Sequence, residues 1–599
     1  MEQLLEGAMI MRRRIPLFLV FIFLLGFAGL TSADQTDLVW STFLGSTLKE
    51  YGTAIWADHP DGIYVTGYTY SSGFPTTPGA YQTVYGTSID AFASKLNTSG
   101  SALIYSTFLG GDSGDKGHGI VVDDAGNAYV VGEVSSNDFP IVYGSYDTTH
   151  NTGEDVFITK LNASGNGLIY STYLGGSSTD EGYAIALDAA NRVCVTGFTH
   201  SSDFPATPGA FDFTANGWYD VFVARLNAAG SGLDYATYIG GADYDEGYGI
   251  AIDDAGHAYV AGYTSSSNYP TTAGAYDVGF NSSYDAFVTK VSPAGSSLVY
   301  STFLGGSSYD YGYALALDDS GRAHITGATE SGNFPTTAGA WDGSHNGSLD
   351  AFISRVDAAG AVLEYSTYLG GNIYDYGRDI EVHADGHIIV AGYANSTNFP
   401  TTSGSYDETH NGDYDAFASK LNPADSALVY STYLGGSNRE ECEGIDLDDG
   451  GFAYIIGATE SGGFPTTYGA YDTTINGQYD AFICKLKMVS IIAPPEAIDD
   501  LTATLSQTDI VLRWSAVTID TSGTPLTVEG YIVYRDTVPE FTPGTPLDST
   551  AGLMYTDDTG VVGDTGTNYY YLIKASAAGE VSAPSNTVGE FDADMLTAP

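Results

Sequence analysis

Tyr300-Ser-Thr-Phe-Leu-Gly-Gly306 reads as a short strand ended by two glycines. The same string, with small exchanges, opens at Trp40, Tyr105, Tyr170, Tyr235, Tyr365 and Tyr430, a step of 65 residues every time. A fixed period of this kind marks a repeat architecture and decides the fold before any local reading does. Working outward, an aromatic-Pro pair recurs in the same phase from Phe74-Pro75 to Phe464-Pro465, and an Asp-Ala/Val-Phe triplet from Asp90 to Asp480. The three markers keep one phase without an insertion.

One copy resolves into four strands. Tyr183-Ala-Ile-Ala-Leu-Asp188 is a nearly continuous apolar run, as expected of a strand buried on both faces. A tight turn leads into Val193–Gly197; elsewhere that turn reads Asp123-Asp-Ala-Gly126, where Gly can take positive φ. Hairpin chemistry accounts for these aspartates, although they also look like calcium ligands. A long loop carrying Phe204-Pro205 precedes a third strand at Asp220–Leu226 and a fourth at Leu233–Ile239. Four antiparallel strands in each of seven copies predict an all-β chain whose residues 34–487 form a seven-bladed β-propeller, a radial array that protects sheet edges. The chain starts with a lone strand, Leu38–Leu44, and its last copy stops after a third strand, Ala481–Leu486. Either the first strand completes the last blade and clasps the chain ends, or the blades are complete in chain order.

Tyr300-Ser-Thr-Phe-Leu-Gly-Gly306, Gly312-Tyr-Ala-Leu-Ala-Leu-Asp318, Phe334-Pro-Thr-Thr-Ala-Gly-Ala-Trp341 and Asp285-Ala-Phe-Val-Thr-Lys290 closely resemble the SBBP (seven-bladed β-propeller) repeat, over residues 37–487. The resemblance implies a fold and an exported, mostly bacterial setting; it carries no reaction and no catalytic residue. After a linker at 488–496, Val511-Leu-Arg-Trp514, Gly530-Tyr-Ile-Val-Tyr534 and Tyr569–Ala575 look like strands of a fibronectin type III domain, an immunoglobulin-like β-sandwich spanning 497–592, with a tail at 593–599. Trp514 is its expected core aromatic and Tyr571 its expected tyrosine-corner residue.

The 73 acids against 20 bases give a net charge of -53, which excludes nucleic acid as a partner and disfavours an anionic membrane surface. Arg12, Arg13 and Arg14 before the apolar run Ile15–Leu30 and the small residues Thr31-Ser-Ala33 read as a signal peptide over 1–33; translation from Met9 or Met11 would give it a normal charged region. Cleavage near Ala33 gives a secreted or cell-surface chain, extracellular or periplasmic, with no membrane span; an uncleaved anchor is the alternative. Three cysteines do not make a disulfide framework, and a whole strand is expected between Cys442 and Cys484.

A scaffold of near-identical copies takes its function from loops or from departures between copies. An in-phase ring of acids runs from Glu50 to Glu440, one before each innermost strand. Sevenfold repetition favours backbone-accepting structural roles for it over a ligand site. In-phase bases from Lys95 to Lys485 suggest one ion pair or turn contact per blade. The pattern breaks in the last two copies: Glu381 and Asp446 stand where the other blades carry Trp56, Val121 or Ala, Asp379 stands two residues before Glu381, and His383 replaces the strand-ending Asp. Asp379, Glu381, Asp446 and Glu440 are therefore the candidate ligand site, with calcium the candidate ion at the first three because every ligand is oxygen. A solvated channel lined by tolerated acids is the competing reading. No nucleophile elbow, zinc-spaced histidine pair or phosphate loop appears, so no catalytic residue and no other cofactor are assigned. The leading expectation is a binding module for a glycan, protein or cell-surface ligand. A lyase or hydrolase with an acid-only site and an architectural envelope or matrix component are the alternatives.

Overall fold

The computed structural model describes residues 37–488, apart from positions 58, 59, 61, 282, 425 and 449, and parts of 498–589. The signal segment, most of the expected linker and the tail lie outside the described residues. All elements among the described residues are strands, and no helix among them is long and apolar enough to cross a membrane.

Seven four-stranded antiparallel sheets occur among the described residues. In six of them the strands follow chain order, as in Asp180–Leu187, Val193–Thr199, Asp220–Leu226 and Leu233–Ile239. The remaining sheet takes three strands from one end of the body, Glu440–Leu447, Phe452–Thr459 and Asp480–Lys487, and its fourth, Leu38–Leu44, from the other. Ser41 faces Cys484 and Phe43 faces Phe482 in that junction. First strands of successive sheets touch one another, and that of the composite sheet touches Glu50–Trp56, so the circuit is closed.

The apolar cores lie between sheets. Trp40 and Leu44 of the composite sheet, for example, share a cluster with Val65 and Phe92 of the next. Further out, in five of the seven copies the aromatic residue that opens the Tyr-Ser-Thr motif sits under a turn glycine of the following blade. Gly165 has φ 65°, and a β-carbon there would fall 2.3 Å from the Tyr105 ring. Tyr170 with Gly230, Tyr300 with Gly360 and Trp40 with Gly100 repeat the contact. The motif thus couples a strand to a turn one period away, and only glycine tolerates both the close approach and the left-handed backbone.

Toward the C-terminus, Thr502–Ser506, Asp509–Arg513 and Met554–Asp557 form one antiparallel sheet. Gly530–Asp536 and Tyr570–Ala577 are the centre of a second. Trp514, Tyr531 and Tyr571 share one apolar cluster. The Tyr571 hydroxyl donates to Asp557 Oδ2 at 2.7 Å, where Arg535 also donates at 2.6 Å. A tyrosine corner would reach upstream backbone; here an ionised carboxylate is the stronger acceptor. The thiols of Cys194, Cys442 and Cys484 are buried and free.

Candidate functional site

The first strand of every blade carries a β-bulge near its start. Register slips between Gly182 and Ala184, between Gly247 and Gly249, between Gly377 and Asp379, and at the equivalent points of the other blades. The extra residue of a bulge is freed from the alternation and re-aimed. Here the extra residues are Thr53, His118, Tyr183, Tyr248, Tyr313, Arg378 and Glu443, and all line one cavity of about 700 Å³ enclosed by the first strands. Sequence reasoning missed this column. Its signal was present: it is one of the in-phase positions at which the copies differ, inside a strand that otherwise largely repeats itself.

The bulged side chains touch in sequence. Tyr183 stacks on Tyr248 at 4.6 Å between ring centres, and Tyr248 meets Tyr313 edge-on at 5.8 Å. The Arg378 guanidinium lies 4.5 Å from the Tyr313 ring centre and donates to Glu443 Oε2 at 2.9 and 2.6 Å. On the other side, His118 packs against Tyr183 at 5.5 Å and approaches Glu133 Oε2 at 3.4 Å. Ring contacts continue outward, from Tyr248 through Tyr263 and Tyr284 to the exposed Tyr309, at 5.4, 5.5 and 5.7 Å. Trp218, 58% exposed, stacks on Tyr244 beside them at 6.4 Å. This face therefore presents aromatic surface continuous from solvent to the axis.

Carboxylates are interleaved with the rings. The Tyr183 hydroxyl donates to Glu181 Oε2 at 2.8 Å, and the Tyr248 and Tyr263 hydroxyls both donate to Glu246 Oε2 at 2.9 Å. Burial, then the charge of Glu133, pushes Glu181 up to about 8. Burial also raises Glu133, but His118 and Lys116 outweigh it and bring that carboxyl down to about 2. Burial likewise raises Tyr183, Tyr248 and Tyr313, which stay neutral hydrogen-bond donors.

Asp379, Glu381 and Asp446 line the same cavity. Asp379 Oδ2 accepts the Ile445 N–H of the neighbouring blade at 2.8 Å, and its Oδ1 accepts Ile380 N–H at 2.9 Å. Asp446 Oδ2 accepts the Ala57 N–H across the next junction at 2.6 Å, and its Oδ1 accepts Leu447 N–H at 2.8 Å. Both aspartates thus latch the composite sheet to its two neighbours. Burial raises Asp379 to about 7, and burial, Asp446 and Asp379 together hold Glu381 well above the ordinary range. No group of three or more His, Cys, Asp or Glu side chains among the described residues is arranged to hold a metal ion. Each oxygen of the two aspartates accepts a backbone N–H.

Glu440 does not join them. It is fully buried in its own blade, where Oε2 accepts Gly436 N–H and Oε1 accepts the Thr459 hydroxyl, each at 2.7 Å. Equivalent bonds hold the whole ring: Gly176 N–H and the Ser201 hydroxyl reach Asp180 Oδ2 at 2.7 and 2.8 Å. His383 is likewise apart from the acids, on the hairpin turn with Asp385 at 2.8 Å. Five of the in-phase bases pair with nearby acids, as Lys160 does with Asp123 at 3.0 Å and Lys485 with Asp448 at 2.9 Å.

Four stretches, residues 104–140, 169–205, 234–270 and 299–335, match the family model SBBP, described as a beta-propeller repeat. No curated protein matches the chain. A fungal alcohol oxidase of the AA5 family, solved with copper, is 12% identical, with 92% of this chain and 99% of that one covered and a TM-score of 0.36. The endosialidase of phage phi92 is 11% identical over 81% of this chain and 75% of that one, with a TM-score of 0.35. A gluconolactonase from Xanthomonas campestris is 10% identical over 60% and 90%, with a TM-score of 0.27. Likenesses this distant carry no chemistry to this chain.

Proposed function

We propose that this chain is an exported seven-bladed β-propeller, followed by a fibronectin type III-like module at 497–592, and that it works as a glycan-binding module. The observation that carries the reading is the unbroken aromatic surface from Trp218, Tyr244 and Tyr309 to the bulged Tyr183, Tyr248 and Tyr313, with carboxylates between the rings. Sugar rings present C–H faces that pack on aromatic side chains and hydroxyls that donate to carboxylates, so this mixture suits a neutral or amino sugar. An acidic glycan meets the repulsion of a chain of net charge -53 instead. The C-terminal module, expressed alone, gives a cooperative unfolding transition on this reading.

A glycan microarray followed by calorimetric titration of the hits tests it. Trp218→Ala and Tyr309→Ala, which remove partly exposed rings, are expected to weaken binding about tenfold or more, the equivalent of about 1.4 kcal/mol. Failure of the wild type to bind any neutral or amino sugar, or binding indifferent to both substitutions, would refute the proposal. The cavity also favours one second reading, acid-catalysed hydrolysis or elimination with Glu381 as proton donor, because that carboxyl lines the cavity and burial raises its proton affinity. Turnover of a bound glycan that Glu381→Gln abolishes would select it.

A further inference from the structure

The acid ring has a partner that its sequence position conceals. The Asp that opens each third strand comes, 25 residues earlier in the chain, to face the acid that opens the first strand of the next blade. At one junction the point that a β-carbon would occupy on Gly175 lies 2.2 Å from Asp155 Oδ1 and 2.9 Å from Asp180 Oδ2. At the next, the same point on Gly240 lies 2.0 Å from Asp220 Oδ1 and 2.9 Å from Asp245 Oδ2. A side chain on the first glycine of Leu-Gly-Gly would thus collide with a carboxylate in every copy, and with two at Gly175, Gly240 and Gly305.

The third-strand aspartates use only half of their accepting capacity. Oδ2 of Asp155, Asp220, Asp350 and Asp415 accepts the N–H of the Asn four residues before it, at 2.6–2.9 Å, and Asp90 accepts Gly86 N–H at 2.8 Å. Oδ1 of all five is buried with no hydrogen-bond partner, in residues at most 1% exposed. The charged neighbours acting on Asp90, Asp155 and Asp220 are all acids, and burial is the main cause that raises each of them. Backbone oxygens gather at the same place. The β-carbon position of Gly347 is 2.9 Å from Asp350 Oδ1, 3.0 Å from Gly371 O and 2.7 Å from Ile373 O, and that of Gly217 is 2.3 Å from Asp243 O and 3.0 Å from Gly241 O. Carboxylates and carbonyls thus meet at these junctions, and His345 is the basic side chain that acts on one of them, Asp350.

We infer that the five junctions marked by Asp90, Asp155, Asp220, Asp350 and Asp415 are divalent-cation sites, each taking calcium between the unpartnered Oδ1, the facing first-strand carboxylate and the carbonyls two and four residues before that acid. An all-oxygen donor set selects a hard cation, and calcium takes such ligands at about 2.3–2.6 Å in flexible geometry. Two carboxylates balance its charge, which offsets the cost of burying them unpaired. The site differs from the axial acids in its unpartnered third-strand Oδ1; the facing carboxylate, as at Asp180 Oδ2, already accepts an N–H and a hydroxyl. The junction at Asp480 is excluded because Gly477 N–H already reaches its Oδ1 at 3.0 Å.

Metal analysis decides between bound calcium and shared protons. The full chain, loaded with calcium at pH 7.5 and dialysed against metal-free buffer, is expected to retain about five calcium ions. Chelator should lower its melting temperature and added calcium restore it. Asp155→Asn keeps an acceptor for Asn151 N–H and removes one charge, so it should lower the stoichiometry by one. Retention of no calcium, a stoichiometry unchanged by Asp155→Asn, or a melting temperature indifferent to calcium and chelator would overturn the proposal and leave the pairs as proton-sharing acids.

Discussion

A buried carboxylate persists where donors meet it, and Asp379 shows how narrow the balance is. Its two oxygens take N–H groups on either side of a blade junction, yet burial still raises it to about 7. A raised value means the folded chain holds this proton more tightly than the unfolded chain does. The side chain therefore costs most above pH 7, and the cost fades as pH falls toward the unfolded value near 4. Asp379→Asn keeps an acceptor for Ile445 N–H and removes the charge. It is expected to stabilise the protein by about 1–3 kcal/mol at pH 8, since a tenfold change in proton affinity corresponds to about 1.4 kcal/mol, and by less at pH 5. Urea unfolding at the two pH values measures this, and an equal effect at both would contradict it. The junction glycines are fixed by the same logic, since a methyl group on Gly175 would collide with Asp155.

At the scale of elements, the first strand carries more than its length suggests. Leu38–Leu44 supplies an edge of the composite sheet and buries Leu38, Trp40, Phe43 and Leu44. Trp40 also donates to Thr98 O of the following blade at 3.2 Å. Each such side chain is worth about 1.5–3 kcal/mol on burial, so together they rival the whole stability of a typical domain, about 5–15 kcal/mol. Deleting residues 34–45 should abolish cooperative folding or lower the melting temperature by more than about 10 °C, far beyond the effect of trimming a loose terminus. Circular dichroism melts of the two chains report it, and superimposable curves would show that the strand is dispensable. The bulges are the other decisive elements. They bring seven side chains of five kinds, from first strands of nearly identical pattern, to one cavity.

For the whole molecule, buried acids dominate the response to pH. Burial raises Asp115, Asp180, Asp245 and Asp310 to about 6 and Asp90, Asp375 and Asp415 to about 7. All bind protons more tightly when folded, so in the presence of chelator stability should fall as pH rises from about 5 to about 8, the reverse of ordinary acid denaturation. Differential scanning calorimetry across that range measures the slope, and a melting temperature that climbs with pH in chelator would show that these groups do not control it. Saturating calcium should flatten the slope by neutralising the pairs.

The 65-residue step, the four strands of each copy and their turns were legible in the chain, because hydrophobic runs and glycine turns are local signals. Asp379, Glu381 and Asp446 were found as breaks in a repeat, and the structure gathers them at one cavity; Glu440, a member of the acid ring that was added to them, lies elsewhere. The bulge column was not legible, since Tyr183 or Tyr248 within an apolar run looks like any other strand residue until the facing strand shows one residue too many. Pairings across long separations were the tertiary structure's to decide: Ser41 beside Cys484, Tyr105 under Gly165, Asp155 facing Asp180. The sequence sets what each segment of about seven residues can be, through backbone preference and burial pattern. Which carboxylate faces which, and which side chain reaches the axis, depends on how neighbouring sheets close against one another, and a local pattern does not encode that packing.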